Sequence, residues 1–271
     1  MSVLPMTAIK LQEQEAEIRT RLASVLASGV RLEVVESIPS TNAELKARAL
    51  TSHQTLLLAR EQTAGVGRRG SLWQSPPTGN LYLSYCVHSA SPLKELGVWS
   101  LGVALAVANE LEGTFSLDCK IKWPNDLYLG GKKVGGVLLE TVSLPGDRIA
   151  VIIGVGLNVA SHPDPELLNR PVTCLGNHVR RPIDFATVVD ATARAIVEMC
   201  SLSQEALHAL LASSWSSRDF LLDQQVMVPV LGAGYGIARG LSPDGGLRVE
   251  FAGKLSTVYA GEVSLGHVDA Q

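Results

Sequence analysis

Two arginines set in a glycine-rich stretch are the first residues that could do chemistry. Gly65-Val66-Gly67-Arg68-Arg69-Gly70 carries two guanidiniums on a backbone with three glycines, and Trp73 follows three residues later. Such a loop is suited to closing over an anion: guanidinium forks match phosphate and carboxylate oxygens, and glycine lets the backbone bend where other residues cannot. The same letters satisfy G-x-G-x-x-G after a strand-like segment at 55–59, so a dinucleotide-binding turn has to be weighed. Context excludes it. That turn must open a helix whose N-terminus holds a pyrophosphate, whereas Ser75-Pro76-Pro77-Thr78-Gly79 is a turn and Leu81-Tyr82-Leu83-Ser84 a strand. No acidic residue stands in the strand about twenty residues on to hold a ribose. Taken alone, the loop reads equally as a solvated hairpin.

A second constellation changes that balance. Lys122-Trp123-Pro124-Asn125-Asp126 precedes a strand, the turn Gly130-Gly131-Lys132-Lys133, and the apolar run Val134-Gly135-Gly136-Val137-Leu138-Leu139-Glu140. Ser40-Thr41-Asn42 stands upstream and Gly154-Val155-Gly156-Leu157-Asn158 downstream. In this order and spacing these three motifs and the arginine loop resemble the bacterial biotin protein ligases, from about residue 31 to the C-terminus. The resemblance implies an α+β fold: a class II synthetase-like mixed sheet with flanking helices, plus a small C-terminal SH3-like β-barrel. It divides the chain into an N-terminal helical extension (1–30), a catalytic domain (31–221) and the barrel (222–271). Fewer than forty residues precede Ser40, and a winged-helix DNA reader needs roughly 60. The expectation is therefore a monofunctional ligase without a DNA-binding arm.

The implied reaction joins biotin to a lysine of a biotin carboxyl carrier domain, of acetyl-CoA carboxylase or a related carboxylase, through biotinoyl-5'-AMP, with ATP and Mg²⁺. By resemblance, Lys133 lies between the biotin carboxylate and the α-phosphate, while Arg68 and Arg69 hold phosphate oxygens, Arg68 foremost. Trp73 packs on adenine and Asn158 hydrogen-bonds it. Asp126 binds Mg²⁺ and assists the incoming lysine, which Asn125 orients. Ser40, Thr41, Asn42 and Gln62 meet the ureido ring, whose donors and acceptors each need a match in a dry pocket. Gly65, Gly67, Gly135, Gly136, Gly154 and Gly156 bring backbone close to ligand, and Val137, Leu138 and Leu157 wall the thiophane and valeryl chain. Plainer roles stand beside these: a helix cap for Ser40 or Thr41, a core side chain for Trp73 and a solvated turn for Lys132. The sequence departs from the family loop at Val66 and Ser71, where arginine is usual. A lipoate or octanoate transferase, a DNA-binding regulator and a binding module that only sequesters biotin share parts of the pattern. Monomer and homodimer are both left open.

Composition narrows the class. With 271 residues, 46% hydrophobic and 18% charged, the chain has the make-up of a globular protein with one sizeable core. Its net charge of −3, with no basic segment, argues against a duplex-binding surface. Cys86, Cys119, Cys174 and Cys200 form no C-x-x-C pair, and the six histidines no H-E-x-x-H. No G-x-S-x-G elbow is present to carry acyl transfer on serine. The N-terminus has no signal-peptide layout and no apolar run reaches about 18 residues, so a cytoplasmic protein independent of membranes is expected.

Periodicity supplies the elements that must position these residues. Leu11, Ile18, Leu22 and Val25 put one amphipathic helix over 7–28. A strand over 32–38 leads into a helix over 43–50. After a strand over 81–87, Leu96, Trp99, Val103, Ala106, Val107 and Leu111 mark a helix from Ser91-Pro92 to Leu111. Strands are expected at 119–123, 126–129, 134–142 and 149–157, helices from Asp184 and over 204–211, and barrel strands at 226–230, 234–240, 246–251 and 256–259.

Overall fold

The computed structural model describes residues 6–75, 79–91, 93–168, 170–232, 234–261 and 263–265. The turn residues Pro76, Pro77 and Thr78, the expected helix opener Pro92 and the side chain of Leu11 lie outside the described residues. Among those described, no helix is long and apolar enough to cross a membrane.

The N-terminal helix comes as two pieces, α1 (Met6–Arg21) and α2 (Ala23–Ala27), meeting at Leu22. Ile18, Leu22 and Val25 are buried along one face, as the stripe predicts. Strand β1 (Arg31–Ile38) then leads to α3 (Thr41–Ala47), capped by the Ser40 side chain on the Ala43 amide, and a short 3-10 turn continues to Thr51. β2 (Thr55–Gln62) pairs parallel with β1, and β3 (Leu81–Ser89) antiparallel with β2. The expected helix after β3 starts later and runs longer: a 3-10 segment occupies Leu93–Val98, and α4 spans Trp99–Phe115. Gly97 weakens helix at the start. At the far end α4 runs through exposed Gly113 and stops only where Ser116 turns left-handed, at φ 57°.

Four further strands complete the main sheet: β4 (Lys120–Lys122), β5 (Asp126–Leu129), β6 (Lys132–Leu144) and β7 (Arg148–Leu157). The order is β1-β2-β3-β7-β6-β5-β4, mixed because only the β1–β2 pair is parallel. A short α5 (Pro165–Leu168) precedes α6 (Phe185–Cys200), which Asp184 caps, and α7 (Gln204–Arg218), which Ser203 caps. α7 extends seven residues past the expected Leu211. Serines 213, 214, 216 and 217 make that end look like loop, yet Trp215 and Arg218 continue the buried face of Leu207 and Leu211. Arg218 is neutralised there by Glu112 and Asp118.

A second sheet follows, antiparallel and five-stranded: β8 (Gln225–Met227), β9 (Gly236–Leu241), β10 (Leu247–Phe251), β11 (Lys254–Val258) and β12 (Ser264–Leu265), in the order β11-β10-β9-β8-β12. β8 is shorter than expected because Pro229 has no N–H to pair and opens a 3-10 turn instead. This SH3-like sheet does not stand apart. Val226, Val249 and Val258 belong to one buried cluster with Trp99, Leu101 and Ile121, and the Trp123 indole donates to the Gly245 carbonyl at 3.0 Å.

Side-chain alternation gives the main sheet two unlike faces. Leu81, Leu83 and Tyr85 of β3, with Val151, Ile153 and Val155 of β7, face the large cluster under α4 and α6. The opposite face carries Leu57, Cys86, Ala150 and Ile152 against Leu45 of α3 at one end. Toward the other end of the same face the apolar side chains stop.

Candidate active site

Where they stop, glycines take over. Register aligns Tyr82 with Gly156, Gly156 with Gly136, and Gly136 with Asp126; one pair further along, Ser84 faces Gly154 and Gly154 faces Leu138. Three neighbouring positions on β6 and β7 thus lack side chains, and a cavity of about 740 Å³ opens over them. Its walls include Ser40, Thr41, Asn42 and Gln62 at one end, the loop from Val66 to Trp73 above, and Asn125, Asp126 and Lys133 at the other end.

The polar end is a closed hydrogen-bond network. Gln62 Oε1 accepts from the Thr41 amide at 2.8 Å and from its hydroxyl at 3.1 Å, while Gln62 Nε2 donates to Ser75 Oγ at 3.0 Å. Asn42 Nδ2 donates to Glu140 Oε2 at 3.0 Å, and Asn42 Oδ1 accepts from Ser84 Oγ at 2.6 Å. Glu140 in turn pairs with Lys46 at 2.6 Å. Small polar groups are therefore held in fixed orientations, which recognition of a neutral polar head requires. Gly154 makes room for this, since a Cβ there would stand 2.4 Å from Asn42 Oδ1.

The charged end centres on Lys133. It is 7% exposed, and its ammonium donates to Asp126 Oδ1 at 2.5 Å. Burial pushes its pKa below the ordinary lysine range, and the Asp126 charge holds it up in part. Arg68 Nη1 reaches Asn125 Oδ1 at 3.4 Å, and Asn125 Nδ2 donates to the Val137 carbonyl at 2.5 Å. Burial and the neighbouring Arg69 also lower the Arg68 pKa, against the pull of Asp126. The Trp73 ring lies over Gly156, where a Cβ would come within 2.6 Å of it, and the Lys133 ammonium stands 5.5 Å from the ring centroid. The indole Nε1 is buried without a partner among the described residues. A surface of this kind can hold a carboxylate and a phosphate side by side next to a flat aromatic group.

The glycine loop is a hairpin, with bridges between Val66 and Leu72 and between Gln62 and Ser75. Arg69 takes a left-handed backbone at φ 55°. Gly67, Arg68, Arg69, Trp73, Gly136, Val137, Leu138, Gly154 and Gly156 all border the cavity together with the residues named above. Four expected residues do not, Gly135 among them because its position faces the Leu157 side chain on the other side of the sheet. Gly65 lies inside the hairpin, where a Cβ would collide with the Trp73 carbonyl at 2.4 Å, and Leu157 is buried behind the wall against Gly135. Asn158 donates to the Thr173 carbonyl at 3.0 Å and borders a small adjoining pocket shared with Trp73, Lys133 and Arg170. Lys132 is exposed.

The structure adds residues that the sequence reading passed over. Tyr82, Lys122, Tyr128, Arg170 and the C-terminal Gly261, Val263 and Ser264 also line the cavity. Strand alternation could have found Tyr82 and Ser84, which point away from Leu81, Leu83 and Tyr85; nothing local marks Arg170 or the C-terminal segment. Among the described residues, no three His, Cys, Asp or Glu side chains come together in a metal-binding group.

Comparison with known proteins gives this geometry a family. Residues 34–158 match the model of the biotin/lipoate A/B protein ligase family. The bifunctional ligase/repressor BirA of Salmonella typhimurium is 34% identical over 254 residues, covering 90% of this chain and 77% of that protein. The biotin-(acetyl-CoA-carboxylase) ligase of Mycobacterium tuberculosis is 30% identical over 261 residues, covering 92% and 94%. A solved structure of the biotin protein ligase of Aquifex aeolicus in complex with biotin and ATP superposes with a TM-score of 0.72 at 30% identity, over 87% of this chain and 98% of that one. Sequence, sheet order and cavity agree, and the chain belongs to the biotin protein ligases of the biotin/lipoate A/B protein ligase family.

Proposed function

We propose that this cavity carries out both halves of one ligation, ATP-dependent attachment of biotin to a lysine of a biotin carboxyl carrier protein. The observation that carries the reading is the buried Lys133–Asp126 pair, in one cavity with Arg68 and with the network of Thr41, Asn42 and Gln62. A carboxylate and an amine do not condense in water, so the acid must first gain a leaving group. A biotin carboxylate oxygen attacks the α-phosphorus of ATP, the bond to the β-phosphate oxygen breaks, and pyrophosphate leaves. Both reactants are anions, and a fixed cation between them stabilises the crowded phosphorane more than either ground state. That role falls to Lys133, the buried cation of the cavity. The acceptor amine, oriented by Asn125, then attacks the acyl carbon of biotinoyl-5'-AMP and displaces AMP, and Asp126 takes the proton that the amine sheds.

Mg²⁺ is normally held by one or two carboxylates together with substrate phosphates. Asp126, with one oxygen engaged by Lys133, offers one such carboxylate and fits an ion arriving with the nucleotide. That ion would supply charge neutralisation on the phosphates. In the same reading Gly261, Val263 and Ser264 join the barrel unit (222–271) to the catalytic unit (31–221), since they wall the cavity. DNA is not a partner, consistent with a net charge of −3. Four free cysteines suit the cytoplasm.

Incubation with biotin, ATP, Mg²⁺ and a carrier domain should add the mass of one biotinoyl group to the carrier. No addition, or addition of a lipoyl group when both acids are offered, would overturn the reading. Val66 is 46% exposed at the cavity rim, where a guanidinium would meet an anionic intermediate. Val66→Arg should therefore slow biotinoyl-AMP dissociation by roughly tenfold, the worth of one charge-assisted hydrogen bond. An unchanged dissociation rate, followed with labelled intermediate, would show that the loop retains it by other means.

A further inference from the structure

The cavity carries more positive charge than the residues discussed so far need. Lys122 and Arg170 add to Arg68, Arg69 and Lys133, and Asp126 is the only carboxylate among the described lining residues. Arg170 differs from the loop arginines in where it comes from. It stands on a separate segment, at the boundary of the main cavity and the small pocket shared with Trp73 and Asn158. Its backbone position is fixed relative to Lys133: the Lys133 amide donates to the Pro171 carbonyl at 3.0 Å, and the Thr173 amide donates to the Lys133 carbonyl at 2.9 Å. Arg170 is thus the residue just ahead of a segment laced to both sides of the Lys133 peptide. Its Nε is buried with no partner among the described residues. A guanidinium donor shut away from water without an acceptor is unfavourable, and such a group is commonly explained by a ligand that completes it.

The geometry points to Arg170 as a nucleotide-phosphate ligand of this site, adding to Arg68 a second guanidinium from an independent segment tied to Lys133. The inference rests on the adenylation reading above. It assigns Arg170 to the nucleotide and not to biotin, because Arg170 also borders the small pocket lined by Trp73 and Lys133, which Thr41 and Asn42 do not reach. A planar fork held at its backbone can take two phosphate oxygens at once, which an ammonium cannot.

The test is biotin-dependent ATP–pyrophosphate exchange as a function of ATP concentration, with biotin binding measured separately by calorimetry and folding by thermal melting. For Arg170→Gln, the KM for ATP should rise roughly 10–100-fold, the loss of one or two charge-assisted hydrogen bonds, while the biotin Kd stays within about twofold. Arg170→Lys should recover part of the loss, and serves as the readable variant if Arg170→Gln melts early. An unchanged ATP KM in a folded variant overturns the assignment, as does an equal rise for biotin and ATP. Absence of exchange in the unaltered chain would instead remove the adenylation reading, and this inference with it.

Discussion

Lys133→Ala is expected to lower biotin-dependent pyrophosphate exchange by roughly 10³-fold, the upper range for removal of one preorganised group that stabilises transition-state charge. Carrier biotinylation should fall with it, while biotin still binds. The substitution also leaves Asp126 without its ion-pair partner. Breaking a fully buried pair costs about 3–5 kcal/mol, and because the Asp126 side chain is 22% exposed, the stability loss should fall below that range. Lys133→Met combined with Asp126→Asn removes both charges and should restore melting without restoring exchange, which separates chemistry from folding. Exchange surviving in Lys133→Ala would remove Lys133 from the reaction. The pH profile supplies a second reading. The protonated amine is the active form, so kcat/KM should be full below its pKa and fall as pH rises through it. Burial places that alkaline limb below the range of an ordinary lysine. Asp126→Asn removes the charge that holds the pKa up and should move the limb lower still; an upward shift would contradict the electrostatics of the pair.

Much of this arrangement was legible before any coordinates because each motif sits where a local rule and a chemical need coincide. Ser40 caps α3 and so fixes Thr41 and Asn42 at a helix N-terminus. Apolar runs placed the strands that carry Gly136, Gly154 and Gly156. The errors also have local causes. Four serines in its last two turns hide the end of α7, and Ser91-Pro92, a helix-opening pair, hides the start of α4.

Other parts of the site depend on distance in the chain. Arg170 meets Lys133 only because the 171–173 segment pairs with it, and Gly261 arrives from a different sheet; no residue within ten positions signals either. Ser84, inside a strand, carries two hydrogen bonds to Thr41 and Asn42 that only cross-strand register reveals. Gly65 and Leu157 show the converse. Their motifs are correctly placed, but close packing assigns Gly65 to hairpin closure and Leu157 to the layer behind the wall.

Two alanines at neighbouring glycines should separate the substrates. In Gly154→Ala the new Cβ would lie 2.4 Å from Asn42 Oδ1, an atom already held by Ser84 while the amide nitrogen is held by Glu140. Asn42 cannot move aside without breaking that network and disturbing Thr41. In Gly156→Ala the Cβ would meet the Trp73 ring, with Cε2, Cζ2 and Nε1 at 2.6, 2.7 and 2.8 Å. Overpacking of this kind costs about 1–3 kcal/mol, and each 1.4 kcal/mol is about tenfold in affinity. Gly154→Ala should therefore weaken biotin binding roughly 10–100-fold with a much smaller effect on the KM for ATP, and Gly156→Ala should do the reverse. Calorimetry for biotin and exchange kinetics for ATP measure both in the same preparations. If the two variants lose the substrates in parallel, the polar network and the Trp73 pocket are not separate binding ends, and Lys133 does not lie between an acid and a nucleotide.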